Sequence, residues 1–205
     1  MARPDQQYFA SAPQSASAPR PFDLTWRGRS YRFLTDSGVF SKGELDTGTQ
    51  VLLNALPGHI AGDVLDLGCG WGPVGILLAA QHPDAQLTLA DVNERAVSLA
   101  RQNAAANGVK VRVVLSDGFA QLPGAFDLIA LNPPIRAGKQ VVYCLFDECR
   151  EHLAPGGALY VVIRKQQGAD SAKKHLLTLF PSVETVARKG GFHVFECTSG
   201  AAHAV

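Results

Sequence analysis

From about Gly38 onward the chain alternates short apolar runs with longer segments whose apolar residues recur every three or four positions. The short runs Asp63–Leu67, Gln86–Asp91, Val109–Leu115, Phe126–Leu131 and Ala158–Ile163 read as buried strands. The longer segments Thr47–Leu56, Pro73–Gln81, Glu94–Ala106, Lys139–Leu153 and Ala169–Phe180 read as helices. Strand then helix, repeated, predicts an α/β fold with a doubly wound, mostly parallel sheet. Two segments break the rhythm. "FDLTWRGRSYRFLTD" carries two alternating runs around Arg27-Gly28-Arg29 and predicts an N-terminal β-hairpin over residues 22–36. "SVETVARKGGFHVFECTS" does the same around Lys189-Gly190-Gly191, so a C-terminal hairpin adds an antiparallel strand.

Ahead of these elements, residues 1–21 include "ASAPQSASAPRP", rich in Ala, Ser and Pro without apolar periodicity. Such a stretch buries too little to offset its ordering entropy, so a disordered or loosely ordered tail is expected before a single domain over 22–205. The net charge of the 205 residues is +1, so any affinity for nucleic acid has to come from local patches. The apolar runs stop well short of a bilayer span and no signal-like segment opens the chain, which predicts a cytoplasmic protein without a membrane partner. The four cysteines, Cys69, Cys144, Cys149 and Cys197, show no Cys-x-x-Cys pair, and the six histidines are scattered. No metal site is expected, and the cysteines read as small core residues in a reducing compartment.

Candidate chemistry collects where the strands end. In a doubly wound sheet, ligands bind beyond the carboxyl ends of the strands. After the first strand comes "VLDLGCGWGPVG", in which Gly68, Gly70 and Gly72 permit a tight turn and let a ligand approach the backbone. Gly70-x-Gly72-x-x-Gly75 followed by Asp91 also matches the dinucleotide fingerprint, so a nicotinamide enzyme has to be weighed. Asp66 places a carboxylate where a pyrophosphate would lie, and Pro73 removes a donor from the helix start that would hold it. A cationic ligand without phosphate suits this loop better, and S-adenosylmethionine is one. Asp91 ends "LTLADVN", where a carboxylate can accept both ribose hydroxyls. Asp117 in "LSDGF" can accept from an adenine amine, with a plain turn as the alternative.

The fourth strand ends in Asn132-Pro133-Pro134. Two prolines fix two φ angles and remove two donors, which makes a rigid corner carrying one amide side chain and a carbonyl without a competing N–H of its own. A proline pair that merely ends a strand is the simpler alternative.

"DLGCGWG", "ADVN", "SDGF" and "NPPI", in this order, resemble the class I S-adenosylmethionine-dependent methyltransferases of exocyclic amines. "DSGVFSKGELDTGTQVLL", "NPPIRAGK" and "IRKQQGA" narrow the resemblance to the methyltransferase-small family, which includes the small-subunit ribosomal RNA guanine-N2 methyltransferase C. The resemblance runs from about Phe22 to the closing hairpin, and larger family members look like two fused copies of such a domain. It implies a Rossmann-like class I methyltransferase sheet and methyl transfer to a guanine N2 amine of small-subunit (16S) ribosomal RNA, with S-adenosylhomocysteine as product. The corresponding partner is ribosomal RNA or the small subunit, met by a monomer or homodimer. By the same resemblance Asn132, Pro133, Pro134 and Ile135 are the catalytic positions. Thr49, Asp66, Gly68, Cys69, Gly70, Gly72, Asp91, Val92, Asp117, Gly118 and Asn132 are the donor-binding ones.

RNA contacts are expected at Phe40, Arg136, Lys139, Lys165 and Phe192, and Arg27, Arg29 and Arg32 interleave with Trp26, Tyr31 and Phe33 on the first hairpin. Ile135 stands where adenine- and glutamine-modifying relatives carry Tyr or Phe, which weakens those acceptors and leaves Phe40 or Phe192 to cover the base. Other readings are a donor-dependent methyltransferase of another amine, or an RNA-binding module with a vestigial donor site.

Overall fold

The structure, a computed structural model, describes residues 16–39 and 44–200. Phe40 and the first fifteen residues of the predicted tail lie outside them. A two-stranded antiparallel sheet, β1 (Arg20–Trp26) and β2 (Arg29–Thr35), precedes the main body. β1 starts at Arg20, two residues before the expected hairpin, and Ser17 Oγ and the Ala18 N–H both bond to the Asp36 carboxylate.

The main body alternates α1 (Thr47–Ala55), β3 (Gly62–Leu67), α2 (Pro73–Gln81), β4 (Ala85–Asp91), α3 (Glu94–Ala106), β5 (Arg112–Leu115), β6 (Phe126–Leu131), α4 (Lys139–Glu151), β7 (Leu153–Arg164), α5 (Ala169–Leu179), β8 (Ser182–Lys189) and β9 (Phe192–Thr198). The seven main strands lie in the order β5-β4-β3-β6-β7-β9-β8, with only the β9 pairings antiparallel. From β3 the chain winds outward through β4 to β5 and then returns to β6 on the other side of β3. The switch point between β3 and β6 is where a ligand crevice opens in such sheets.

Both faces of the sheet are covered, which is why its strands read as unbroken apolar runs. Val64, Leu87, Leu89, Tyr160, Val162 and Val194 face α1, α2, α3 and the first hairpin. Leu65, Leu67, Ile129, Leu131, Leu159 and Val161 face α4 and α5. Two boundaries differ from expectation. β5 starts only at Arg112, because the Val109 N–H still bonds to the Ala104 carbonyl at the end of α3. β7 starts five residues early, at Leu153, which pairs with Phe126; the register then shifts before Leu128, and Pro155 is accommodated at that irregularity.

The hairpin is fastened to the body by packing and by one asparagine. Phe33 and Phe22 meet Trp71 edge-on, with centroids 4.8 Å and 5.4 Å away. Asn103, fully buried on α3, accepts from the Leu34 N–H (2.7 Å) and donates to the carbonyls of Leu34 (3.0 Å) and Trp71 (2.8 Å). All its amide hydrogen-bonding directions except one acceptor lone pair are thus engaged. Tyr31 and Phe33 point into the core, so these two rings of the hairpin are packing residues rather than stacking platforms for RNA. Among the described residues, no helix is long and apolar enough to cross a membrane.

Candidate active site

The glycine loop leaves β3 bent back over β4. The N–H groups of Gly68 and Cys69 both bond to the Ala90 carbonyl, at 2.8 Å and 2.9 Å, and Gly70 donates to Asp91 Oδ2 at 2.8 Å. Gly68 and Gly70 have φ of 69° and 57°, and no heavy atom of the described residues would meet a Cβ on either within 4 Å. Their α-carbons therefore border open space that a ligand can occupy. Gly72 faces the other way: a Cβ there would come within 3.2 Å of Ile76, Ala100 and Leu89, so this glycine serves packing. Gly75 does likewise, since a Cβ would lie 2.5 Å from Leu89. Pro73 opens α2 at a position where its missing N–H costs nothing.

Two carboxylates stand at this loop. Asp66 is 4% exposed and accepts from the Gly75 N–H at 2.9 Å. Burial pushes its pKa up to about 7, the Gly75 N–H opposes that, and the neighbouring Asp91 charge adds to it. Burial also raises Asp91, although the N–H groups of Asn93, Gly70 and Val92 favour its charged form. Asp91 Oδ1 accepts from the Asn93 N–H, while Asn93 Oδ1 caps α3 through the N–H groups of Arg95 and Ala96. Asp91 is thus not the helix cap and keeps acceptor capacity for a ligand. Among the described residues neither Asp66 nor Asp91 forms an ion pair.

Across the switch point, β6 delivers the Asn-Pro-Pro corner. Asn132 Nδ2 donates to Thr49 Oγ1 on α1 at 3.1 Å, which fixes the amide with Oδ1 as its acceptor end. Pro134 has φ −74° and ψ 73°, the centre of an inverse γ-turn closed by the Ile135 N–H on the Pro133 carbonyl at 2.8 Å. That carbonyl is thus already an acceptor within the corner. One lone pair is engaged within the corner and the other remains. A 3₁₀ turn over Ile135–Ala137 carries the chain into α4.

The acidic glycine loop and the proline corner border one cleft of about 410 Å3, a volume suited to a cofactor with part of a second ligand. A family model for the methyltransferase small domain matches residues 30–196. The chain belongs to this family. It is 40% identical over 195 residues to the Bacillus subtilis (strain 168) protein described as uncharacterized protein YbxB, covering 93% of this chain and 97% of that one. It is 35% identical over 187 residues to the ribosomal RNA small subunit methyltransferase C of Pseudomonas entomophila (strain L48), covering 87% of this chain but 54% of that protein. A solved structure of the T. thermophilus 16S rRNA N2 G1207 methyltransferase, in complex with AdoMet and guanosine, superposes with a TM-score of 0.81 at 27% identity. The match covers 89% of this chain and 51% of that one, so this family member spans about half the length of its named methyltransferase relatives.

The cleft brings together most of the positions that the sequence singled out. Thr49, Asp66, Gly68, Cys69, Gly70, Asp91, Asn132, Pro133, Pro134, Ile135, Arg136 and Phe192 all line it. Phe192, at the start of β9, rests against Gly48 of α1 and carries the Arg164 guanidinium 5.9 Å above its ring. Cys69 is buried, its thiol pKa pushed up by burial and by the charges of Asp91 and Asp66, so it lines the wall as an inert thiol.

Other positions lie outside the lining. Asp117 is exposed on a turn whose carbonyl accepts from Ala120, and Gly118 packs against the Glu148 carboxyl, which a Cβ would approach to 2.3 Å. Gly72 turns to the core, Val92 is half-buried beside Asp91, and Lys165 sits on the turn after β7. Lys139 borders a separate, smaller pocket, its Nζ 5.0 Å over the Tyr143 ring. Sequence reasoning missed Asp46, Trp71 and Asn93, which also line the cleft. Asp46 read only as part of a motif, yet its side chain caps α1 through the Thr49 N–H at 3.1 Å. An acid directly before a helix that opens toward a strand-end rim was the signal available. Among the described residues, no group of three or more His, Cys, Asp or Glu is placed to hold a metal ion.

Proposed function

We propose that this protein transfers a methyl group from S-adenosylmethionine to the exocyclic N2 amine of a guanine in small-subunit ribosomal RNA. The observation that carries the reading is the shared cleft: two carboxylates that form no ion pair among the described residues, beside glycine backbone and facing a rigid Asn-Pro-Pro corner. The residues fit the donor. Asp66 is a buried carboxylate with a raised pKa and, among the described residues, one N–H partner, so a cationic ligand at the loop relieves its unfavourable ionisation. Gly68 and Gly70 leave room for close approach, and Asp91 keeps lone pairs for hydroxyl groups. When bound, the donor supplies an electrophilic sulfonium methyl and leaves as neutral S-adenosylhomocysteine.

The acceptor amine needs orientation more than activation. Its lone pair is delocalised into the guanine ring. Two acceptors, Asn132 Oδ1 and the free lone pair of the Pro133 carbonyl, take its two N–H groups and hold the nitrogen in one attitude. Positioning of this kind is worth ~7–11 kcal/mol at its best. The same two oxygens stabilise positive charge as it grows on the nitrogen. Thr49 fixes the asparagine amide, and the γ-turn at Pro134 fixes the carbonyl, so neither has to reorganise during reaction. No His, Lys or Tyr lines the cleft among the described residues, and the acidic methylated amine can release its proton to water.

RNA as the acceptor is supported by Arg136 and Arg164 at the cleft mouth and by the names of the relatives. Ile135 and Phe192 are the apolar surfaces left to pack on the target base. The test is to incubate the protein and labelled donor with small-subunit RNA from a strain lacking it, then digest the product to nucleosides. N2-methylguanosine supports the reading; label in another nucleoside, or only in protein, overturns it.

A further inference from the structure

Beside the active-site cleft lies a second pocket, of about 180 Å3, between the first turns of α4 and α5. Ile135 and Gln167 line both, so the two spaces share a wall. The pocket floor is apolar, formed by Val142, Ile163 and Ala172. Its polar groups are specific. Tyr143 Oη and Ser171 Oγ bond to each other at 2.8 Å, which uses one hydroxyl proton and leaves the other to donate. Lys139 stands at the rim, and no acidic side chain lines the pocket among the described residues. Gly168, with φ 95°, exposes its backbone there because no Cβ covers it, and α5 starts behind it without a side-chain cap.

The proposed acceptor is one base of a polynucleotide, so its neighbours must pass close to Asn132 when it does. We propose that this second pocket binds the base of a nucleotide adjacent to the target guanine. This subsite rests on the reading of the chain as an RNA guanine methyltransferase and adds to it a reader of local sequence. The apolar floor packs on the face of a ring, as unstacked bases in single-stranded recognition require. Gln167 makes no side-chain hydrogen bond to any described residue, and its amide, with a donor and an acceptor side by side, matches a base edge. Lys139 supplies a cation for the intervening phosphate, where a carboxylate would repel it. A protein partner would not need the cation-without-acid rim or the wall shared with the base-modifying corner. Continuity and charge together select the nucleotide.

The experiment uses the full chain and oligonucleotides spanning the guanine that the wild type methylates, with each neighbour in turn intact or abasic. One abasic neighbour should raise the wild-type KM roughly tenfold. Ser171→Leu, which fills the pocket from α5, should raise KM for intact RNA by a similar factor and make that abasic change indifferent, because the two perturbations remove the same contact. Gln167→Ala, at an exposed turn where folding is not at stake, should flatten the preference among the four bases at that neighbour. Calorimetric donor affinity equal to wild type shows that both variants are folded. Wild-type methylation unaffected by either abasic neighbour, or effects of Ser171→Leu and the abasic site that simply add, overturns the subsite alone. A wild type that binds donor yet methylates no RNA guanine overturns the functional reading as well.

Discussion

Asp66→Asn isolates the electrostatic core of the proposed donor site. The carboxyl is buried, its pKa lies at about 7 in the folded protein, and Asp91 is the charge beside it. A cationic donor needs the ionised form, so affinity should climb about tenfold per pH unit below 7 and level off by about pH 8. The same shift sets an opposite trend in the ligand-free protein. Because folding raises this pKa from 3.8 to about 7, Asp66 favours the folded state while it is protonated. That contribution is complete below pH 4 and is lost as pH rises through 7, at most about 4 kcal/mol. Asparagine keeps an oxygen for the Gly75 N–H and removes the titration. The variant should therefore be more stable than wild type at pH 8 and equal or less stable at pH 4. Its donor affinity at pH 8 should fall by about 1.5–3 kcal/mol, the worth of a hydrogen bond to a charged group. Calorimetric titration with S-adenosylmethionine between pH 5.5 and 8.5, alongside urea unfolding at the same pH values, reads both trends. Donor affinity that is independent of pH and unchanged in Asp66→Asn would refute the assignment of a cation to this carboxylate.

Asp91→Ala should weaken donor binding by about 1.5–3 kcal/mol through loss of a charged acceptor, measured by calorimetry, while far-ultraviolet circular dichroism stays that of the wild type. Asn103→Ala should cost about 1–3 kcal/mol in urea unfolding, because the Leu34 N–H and the Leu34 and Trp71 carbonyls lose a buried partner. It should also loosen donor binding, since Trp71 lines the cleft that Asn103 braces; unchanged donor affinity would confine Asn103 to holding the hairpin.

The parallel core was legible because its strands are buried on both faces and bounded by glycine and proline. Phe126–Leu131 was placed to the residue for this reason. Boundaries failed where tertiary pairing overrode local pattern. Leu153 joins the sheet because Phe126 lies opposite, a partnership that the "LAPGG" sequence hides behind turn residues. The first hairpin was legible, but not which face its aromatics present. Alternation alone does not say whether Phe33 meets Trp71 or solvent. At the site, carboxylates and glycines at strand ends were readable from position. The state of each lone pair was not: the γ-turn on Pro133 and the Thr49 bond that orients Asn132 depend on residues brought together only by folding. Gly72 and Gly75 show the same limit, since a glycine kept for helix packing and one kept for ligand approach look alike in sequence.

Single-turnover methyl transfer by Asn132→Ala, normalised to folded protein and read as N2-methylguanosine formed in small-subunit RNA, tests the central claim most directly. Loss of one preorganised acceptor at the reacting amine predicts a rate lower by about a hundredfold or more, with donor affinity and RNA affinity nearly kept. A corner that only terminates β6 predicts reduced stability and a near-wild-type rate in the folded fraction, and that result would remove Asn132 from the chemistry.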